Sequence, residues 1–106
     1  MSVIMTLRVK ADPKKFESVA GGDRERIEGI IEKAKAAGLI AHRFYGSDDG
    51  QVMVIDEWPD AQSFQGFFES TQDQIGPMME EAGVQSEPEI TFWTKLEIGD
   101  DVGWGA

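Results

Sequence analysis

The sequence predicts an α+β fold with the element order β-α-β-β-α-β, and three observations carry this prediction. An apolar strand spans Val52–Ile55 and leads through Trp58 and Pro59 into an amphipathic helix. A glycine- and aspartate-rich turn at 46–50 folds the preceding strand back onto it. Alternating strands are expected at both ends of the chain. This order gives the split βαβ, or ferredoxin-like, arrangement, an antiparallel sheet of four strands with two helices on one face.

The first half of the chain supplies a strand, a helical turn and a long helix. The first strand alternates Val3, Met5, Leu7 and Val9 with more polar residues. Asp12-Pro13 predicts the start of a short helical turn that Gly21-Gly22 breaks. Asp23 then caps the first long helix, which ends at Gly38. Its apolar stripe consists of Ile27, Ile30, Ile31, Ala34 and Ala37.

The second half of the chain supplies a hairpin, a second helix and a closing strand. Leu39–Tyr45 forms the hairpin with Gln51–Trp58. The second helix follows the cap Asp60 and continues to Gly83. Its apolar stripe consists of Phe64, Phe67, Phe68, Thr71, Ile75, Met78, Met79 and Ala82. The closing strand opens at Pro88, with Ile90, Phe92, Leu96 and Ile98 on one face.

Length and composition limit the number of domains and the classes of binding partner that the chain can have. We expect one domain over residues 1–98 and a flexible C-terminal tail over 99–106, rich in glycine and acid. Cysteine is absent, which removes thiolate chemistry, and a net charge of −10 opposes binding to nucleic acid or an anionic membrane. No apolar run approaches the roughly 20 residues of a membrane span, and no signal-peptide core is present, so we expect a cytoplasmic protein.

The face of the sheet that the helices leave bare is predicted to carry apolar side chains. Ile4, Met53 or Val52, and one face of the last strand would lie there. A monomer seldom exposes a continuous apolar surface of that size to water. We therefore expect a homodimer in which a second copy covers this face.

Three segments resemble a known superfamily, the dimeric α/β barrels, and within it the antibiotic-biosynthesis-monooxygenase-like domains. They are the strand ending in Asp56-Glu57-Trp58, the aromatic-rich helix beginning at Asp60, and the strand after Glu87-Pro88. The resemblance covers Met1–Ile98. It implies that two ferredoxin-like subunits pack sheet to sheet into a barrel, each with a pocket between its own sheet and helices.

Several departures from this superfamily argue against a cofactor. Haem-degrading relatives use an asparagine, a tryptophan and a histidine on the second long helix, whereas this chain has no asparagine and its only histidine, His42, lies on the second strand. Cofactor-free relatives that oxidise aromatic polyketides also use asparagine and tyrosine near a tryptophan. Here Tyr45 is the only tyrosine and asparagine is absent, which argues against the chemistry of those relatives as well. Haem, iron–sulfur, flavin and nicotinamide find no recognisable anchor, so we expect no cofactor. Asp48-Asp49 and Asp100-Asp101 have the composition of turns, and no metal site is predicted.

The candidate catalytic residues are His42 and Tyr45, with Arg43 as a further polar group. Each has a structural alternative: a histidine on a strand is commonly structural, and Arg43 and Tyr45 share one face of an edge strand. We place His42 toward the pocket, because a neutral histidine is buried more cheaply than an arginine. Asp56 and Glu57 point to opposite faces, so at most one serves a site. The candidate substrate-binding residues are Trp58, Phe64, Phe68, Met78 and Trp93, all of which also fit a role in the core or the interface.

Two functions remain open on these residues. One is a cofactor-independent, monooxygenase-like enzyme that acts on a hydrophobic aromatic metabolite. The other is a non-catalytic module that binds a small hydrophobic ligand or serves dimerisation. An enclosed cavity with convergent polar groups favours the enzyme, whereas a fully packed interface between helices and sheet excludes it.

Overall fold

The computed structural model of the chain describes residues 1–104. The elements in chain order are β1 (Val3–Lys10), α1 (Pro13–Gly22), α2 (Arg24–Ala36), β2 (Ala41–Gly46), β3 (Gln51–Trp58), α3 (Ala61–Ser70), α4 (Gln72–Glu81) and β4 (Glu89–Trp93). Within the described residues, none of these helices is both long and apolar enough to cross a membrane. Of the tail predicted at 99–106, Gly105 and Ala106 lie outside the described residues.

The four strands form one antiparallel sheet in the order β2-β3-β1-β4. The central pair β1–β3 runs in register from Val3 opposite Trp58 to Lys10 opposite Gln51. β4 lies beside β1 on one edge, and β2 lies beside β3 on the other. This confirms the predicted α+β, ferredoxin-like fold.

Strand alternation divides the sheet into a helix-covered face and a bare face. On β1, Met5, Leu7 and Val9 are buried against the helices. On β3 the burial alternates strictly, so Asp56 and Trp58 join the covered face with the two valines of the strand. The bare face carries the intervening side chains of the same strands, Ile4, Thr6 and Arg8 on β1, and Met53, Ile55 and Glu57 on β3.

The second helical region is broken, whereas a single helix to Gly83 was predicted. Thr71 leaves the helical conformation, with φ −115° and ψ 11°, and separates α3 from α4. Its hydroxyl donates a hydrogen bond of 2.8 Å to the Phe67 carbonyl oxygen, and its backbone N–H donates to the same oxygen at 3.1 Å. Because the hydroxyl competes for a backbone acceptor and is fully buried, Thr71 stabilises the break.

The last strand is shorter than predicted. β4 ends at Trp93, and Leu96 and Ile98 are 71% and 70% exposed. Trp93 pairs with Ile4, close to the beginning of the chain, so β1 offers almost no further residues for pairing. The prediction that Leu96 and Ile98 continue the strand was therefore wrong. The apolar alternation in the sequence extends beyond the point where β1 can still pair with it.

Candidate active site

A cavity of about 400 Å³ separates the sheet from the helices. Its volume lies near the small end of the range for small-molecule sites, roughly 300–1,000 Å³. All four helices contribute to a predominantly apolar wall, including Phe16, Ile30, Phe64, Phe68 and Met78. The exposed lining residues belong to α1 and β2 and mark the side that opens to solvent; they are Glu17, Gly21, Phe44, Tyr45 and Gly46. The helix–sheet interface is thus not fully packed.

The hairpin places a histidine and an aspartate side by side in the wall of this cavity. His42 on β2 is the register partner of Asp56 on β3, so both side chains lie on the covered face. His42 Nδ1 lies 2.7 Å from Asp56 Oδ1. The Asp56 side chain is 7% exposed and the His42 side chain 26%. Asp56 is therefore the buried member of the pair and His42 the accessible member.

Trp58 completes the hydrogen-bonding of the buried carboxylate. Its indole Nε1–H donates to Asp56 Oδ2 at 3.0 Å, and the Trp58 side chain is fully buried. The indole can only donate, and an ionised carboxylate only accepts. With Asp56 accepting from both neighbours, the geometry assigns the proton of neutral His42 to Nδ1. Nε2 then carries a free lone pair, and residues 1–104 provide it with no hydrogen-bond partner.

Aromatic rings surround this polar pair. The His42 ring meets Phe44 edge to face, with centroids 5.0 Å apart, and Phe44 lies 5.2 Å from Phe16 of α1. Deeper in the molecule, Phe64 and Phe68 stack at 5.2 Å. Such rings bind flat apolar molecules through stacking and edge-to-face contacts. The site therefore combines one proton acceptor with aromatic walls.

The structure separates the residues selected from sequence into three groups. His42, Phe64, Phe68 and Met78 line the cavity. Trp58 lies behind the wall, where it contacts Phe64 and Phe67 and holds Asp56.

Tyr45, Arg43 and Trp93 have their side chains on the bare face. Arg43 donates a hydrogen bond to the Tyr45 hydroxyl, and this bond raises the pKa of Arg43. Tyr45 borders the cavity, but strand alternation directs its side chain to the bare face. Trp93 is 54% exposed and donates to Thr6 Oγ1 at 2.8 Å, also on the bare face. None of these three side chains is therefore placed to contact a ligand in this cavity.

Asp56 was not selected as a site residue from the sequence. The signal was available in the hairpin. Gly46 and Val52 are opposite each other at the turn, and four residues further along each strand stand His42 and Asp56. A fixed hairpin register therefore pairs the only histidine with a carboxylate.

Residues 1–104 contain no group of three or more histidine, aspartate or glutamate side chains arranged to hold a metal ion. The oxygens of Asp56 are already engaged by His42 and Trp58.

Comparison with solved structures finds the same fold in several proteins of low sequence identity. A monooxygenase from the gene ActVA-Orf6 of Streptomyces coelicolor, in complex with the ligand Nanaomycin D, has a TM-score of 0.70 and 16% identity, over 91% of this chain and 88% of its own. A dimeric ferredoxin-like protein from an uncultured marine organism has a TM-score of 0.67 and 15% identity, over 95% and 93%.

A third similar structure is SnoaB, a cofactor-independent oxygenase from Streptomyces nogalater. It has a TM-score of 0.60 and 18% identity, over 94% of this chain and 98% of its own. At these identities the likeness establishes the fold. No protein-family model and no curated protein matches the chain.

Proposed function

We propose that this protein is a cofactor-independent enzyme that oxidises a hydrophobic aromatic metabolite. The observation that carries the proposal is the His42–Asp56 pair in the wall of an apolar cavity of about 400 Å³. An accessible imidazole paired with a buried carboxylate is not required to stabilise a packed core, so the pair indicates a functional role. The arrangement has the geometry of a general base whose orientation is fixed by a second residue.

The chemistry assigned to the pair is removal of a proton from a phenol or an activated C–H group. His42 Nε2 accepts the proton, and Asp56 stabilises the resulting imidazolium through Nδ1. An electron-rich carbanion or phenolate then reacts with dioxygen. One oxygen atom enters the substrate as a carbonyl, and the other leaves as water with the two hydrogens that the substrate loses.

The fold comparisons support this proposal because oxygenases with the same fold are known. Two proteins with this architecture, from S. coelicolor and S. nogalater, are respectively a monooxygenase and a cofactor-independent oxygenase. The S. coelicolor structure holds Nanaomycin D.

A dihydroxyanthrone is a suitable test substrate, because it is a fused aromatic with an acidic C–H group and its oxidation by dioxygen yields the anthraquinone and water. We expect His42→Gln to lower kcat by roughly 10²–10⁴-fold, the usual contribution of a general base. Oxygen uptake and anthraquinone absorbance measure the reaction. Glu69→Gln, an exposed change on α3, serves as the control that keeps full activity.

Equal rates for wild type and His42→Gln would refute the catalytic role of His42. Tight binding of anthraquinones without any oxidation by wild-type protein would instead favour the second function, a non-catalytic small-molecule-binding module. The observation that favours this alternative is the apolar cavity, which could bind a small molecule without any reaction.

We also propose that the protein is a homodimer that buries the bare face of the sheet. Ile4, Met53 and Ile55 form the apolar centre of that face, and Trp93 and Tyr45 are half-exposed beside them. Four helices cover the opposite face, so a second sheet is the complementary partner. The similar structure from an uncultured marine organism is a dimeric ferredoxin-like protein. Sedimentation at micromolar concentration tests the proposal, and a compact monomer would refute it.

A further inference from the structure

Within residues 1–104, no lysine or arginine lines the cavity. The ionisable residues in the lining are Glu17, His42, Tyr45 and Asp56. The Tyr45 side chain points to the bare face, which leaves two carboxylates and one imidazole around the cavity.

Three cations on the neighbouring elements are directed away from the cavity. Lys15 of α1 reaches over Gly83 beyond the C-terminal end of α4. Arg26 of α2 pairs with Glu81 at 2.7 Å. Arg43, next to His42 in sequence, lies on the opposite face of the sheet. Within residues 1–104, no lysine or arginine lines the cavity to neutralise an acid group of a bound ligand.

We infer that the cavity selects uncharged aromatic molecules and rejects those that carry a carboxylate or a phosphate. This inference rests on the proposed function, which it deepens by specifying the class of substrate. A carboxylate transferred into the cavity would lose its hydration and receive no cation in return. It would also approach Asp56, whose negative charge opposes it in an apolar surrounding where screening by water is weak. A hydroxyl group, by contrast, has His42 Nε2 as an acceptor.

Three dihydroxyanthraquinones that differ at one ring position provide the test: a methyl, a hydroxymethyl and a carboxylate derivative. Equilibrium dialysis or calorimetry at pH 7 gives Kd for each with the full-length protein. We expect the methyl and hydroxymethyl compounds to bind with similar Kd, and the carboxylate compound to bind at least about tenfold more weakly, which corresponds to about 1.4 kcal/mol.

A charge reversal at the mouth of the cavity sharpens the test. Glu17 is exposed on α1 and makes no side-chain hydrogen bond within residues 1–104, so Glu17→Lys should fold normally. We expect it to bring the Kd of the carboxylate compound toward that of the methyl compound. Glu69→Lys makes the same change of net charge away from the cavity lining and should leave the difference intact.

The inference and the proposed function fail in distinguishable ways. If the carboxylate compound binds wild type as tightly as the methyl compound while anthrone oxidation still depends on His42, the selectivity is wrong and the function stands. If the expected order of Kd appears without oxidation, the selectivity stands and the catalytic function is wrong. If none of the three compounds binds, both are overturned.

Discussion

Replacing Asp56 by asparagine tests the site most directly, because the change keeps the shape of the side chain and alters only its hydrogen-bonding. Trp58 Nε1 can only donate, so the amide oxygen of the asparagine must face it. The amide NH₂ then faces His42 Nδ1, which has to become the acceptor. The ring proton consequently moves to Nε2. The variant keeps both contacts but removes the lone pair that acts as the base.

The expected effects differ in size for activity and stability. Loss of the base should lower kcat for anthrone oxidation by roughly 10²–10⁴-fold, or about 3–5 kcal/mol in the barrier. The stability change should stay within about 2 kcal/mol, because weaker neutral hydrogen bonds are offset by the lower cost of burying an amide. Asp56→Ala should be less stable than Asp56→Asn by a further 1–3 kcal/mol or so, since it leaves the buried Trp58 N–H unpaired.

Three measurements check this reasoning. Oxygen uptake reports kcat, urea unfolding reports the free energy of unfolding, and long-range ¹H–¹⁵N correlation spectra report which ring nitrogen of His42 carries the proton. The reasoning is refuted if Asp56→Asn is stable and keeps near-normal kcat, or if its His42 still carries the proton on Nδ1.

Further predictions concern the bare face, the helix break and a helix cap. Ile55→Glu should convert the dimer into a monomer in sedimentation experiments, whereas Gln62→Glu on exposed α3 should not. Thr71→Val should destabilise the fold by about 0.5–1.5 kcal/mol in urea, because it removes one hydrogen bond to the Phe67 carbonyl, which keeps the Thr71 N–H and the Ser70 hydroxyl as donors. Asp60 caps α3 through the Ser63 N–H, and this bond lowers the pKa of Asp60. Its folded-state pKa lies below the unfolded value of about 3.9, so its contribution is fully present above that pH and is lost as pH falls through the folded pKa. The stability difference between wild type and Asp60→Ala should therefore be constant near neutral pH and shrink in acid.

Much of the fold follows from local sequence patterns that can be recognised without knowledge of the tertiary structure. The apolar run of β3, the turn at 46–50 and the cap at Asp60 each specify one element, and together they leave few topologies for a chain of 106 residues. The break at Thr71 was not predictable in this way. Its apolar neighbours continue the helical period, and only the buried contact of its hydroxyl with the preceding turn shows where the helix is interrupted.

The site was predictable only in part. The spacing of residues along one strand shows which of them share a face, but it does not show which residues of the neighbouring strand lie beside them. The chemistry of an imidazole identifies His42 as a candidate from sequence, whereas Asp56 becomes one only through its pairing with His42 across the hairpin. Trp93 was selected as an aromatic wall, yet pairing with Ile4 puts it on the bare face. A shift of one residue in register exchanges the two faces of a strand, so apolar periodicity alone cannot assign Trp93 to the cavity or to the interface.

The strand β3 links the proposed site to the proposed dimer. Asp56 and Trp58 face the helices, while Ile55 and Glu57, their immediate neighbours, face the bare side. A partner subunit on that side would bury β3 on both faces and restrict the backbone that aligns Asp56 with His42. A monomer would leave the same backbone free to move on its solvent side. Association and oxidation rate should therefore decline together when wild-type protein is diluted below the dissociation constant of the dimer, although no residue of the interface needs to touch the substrate.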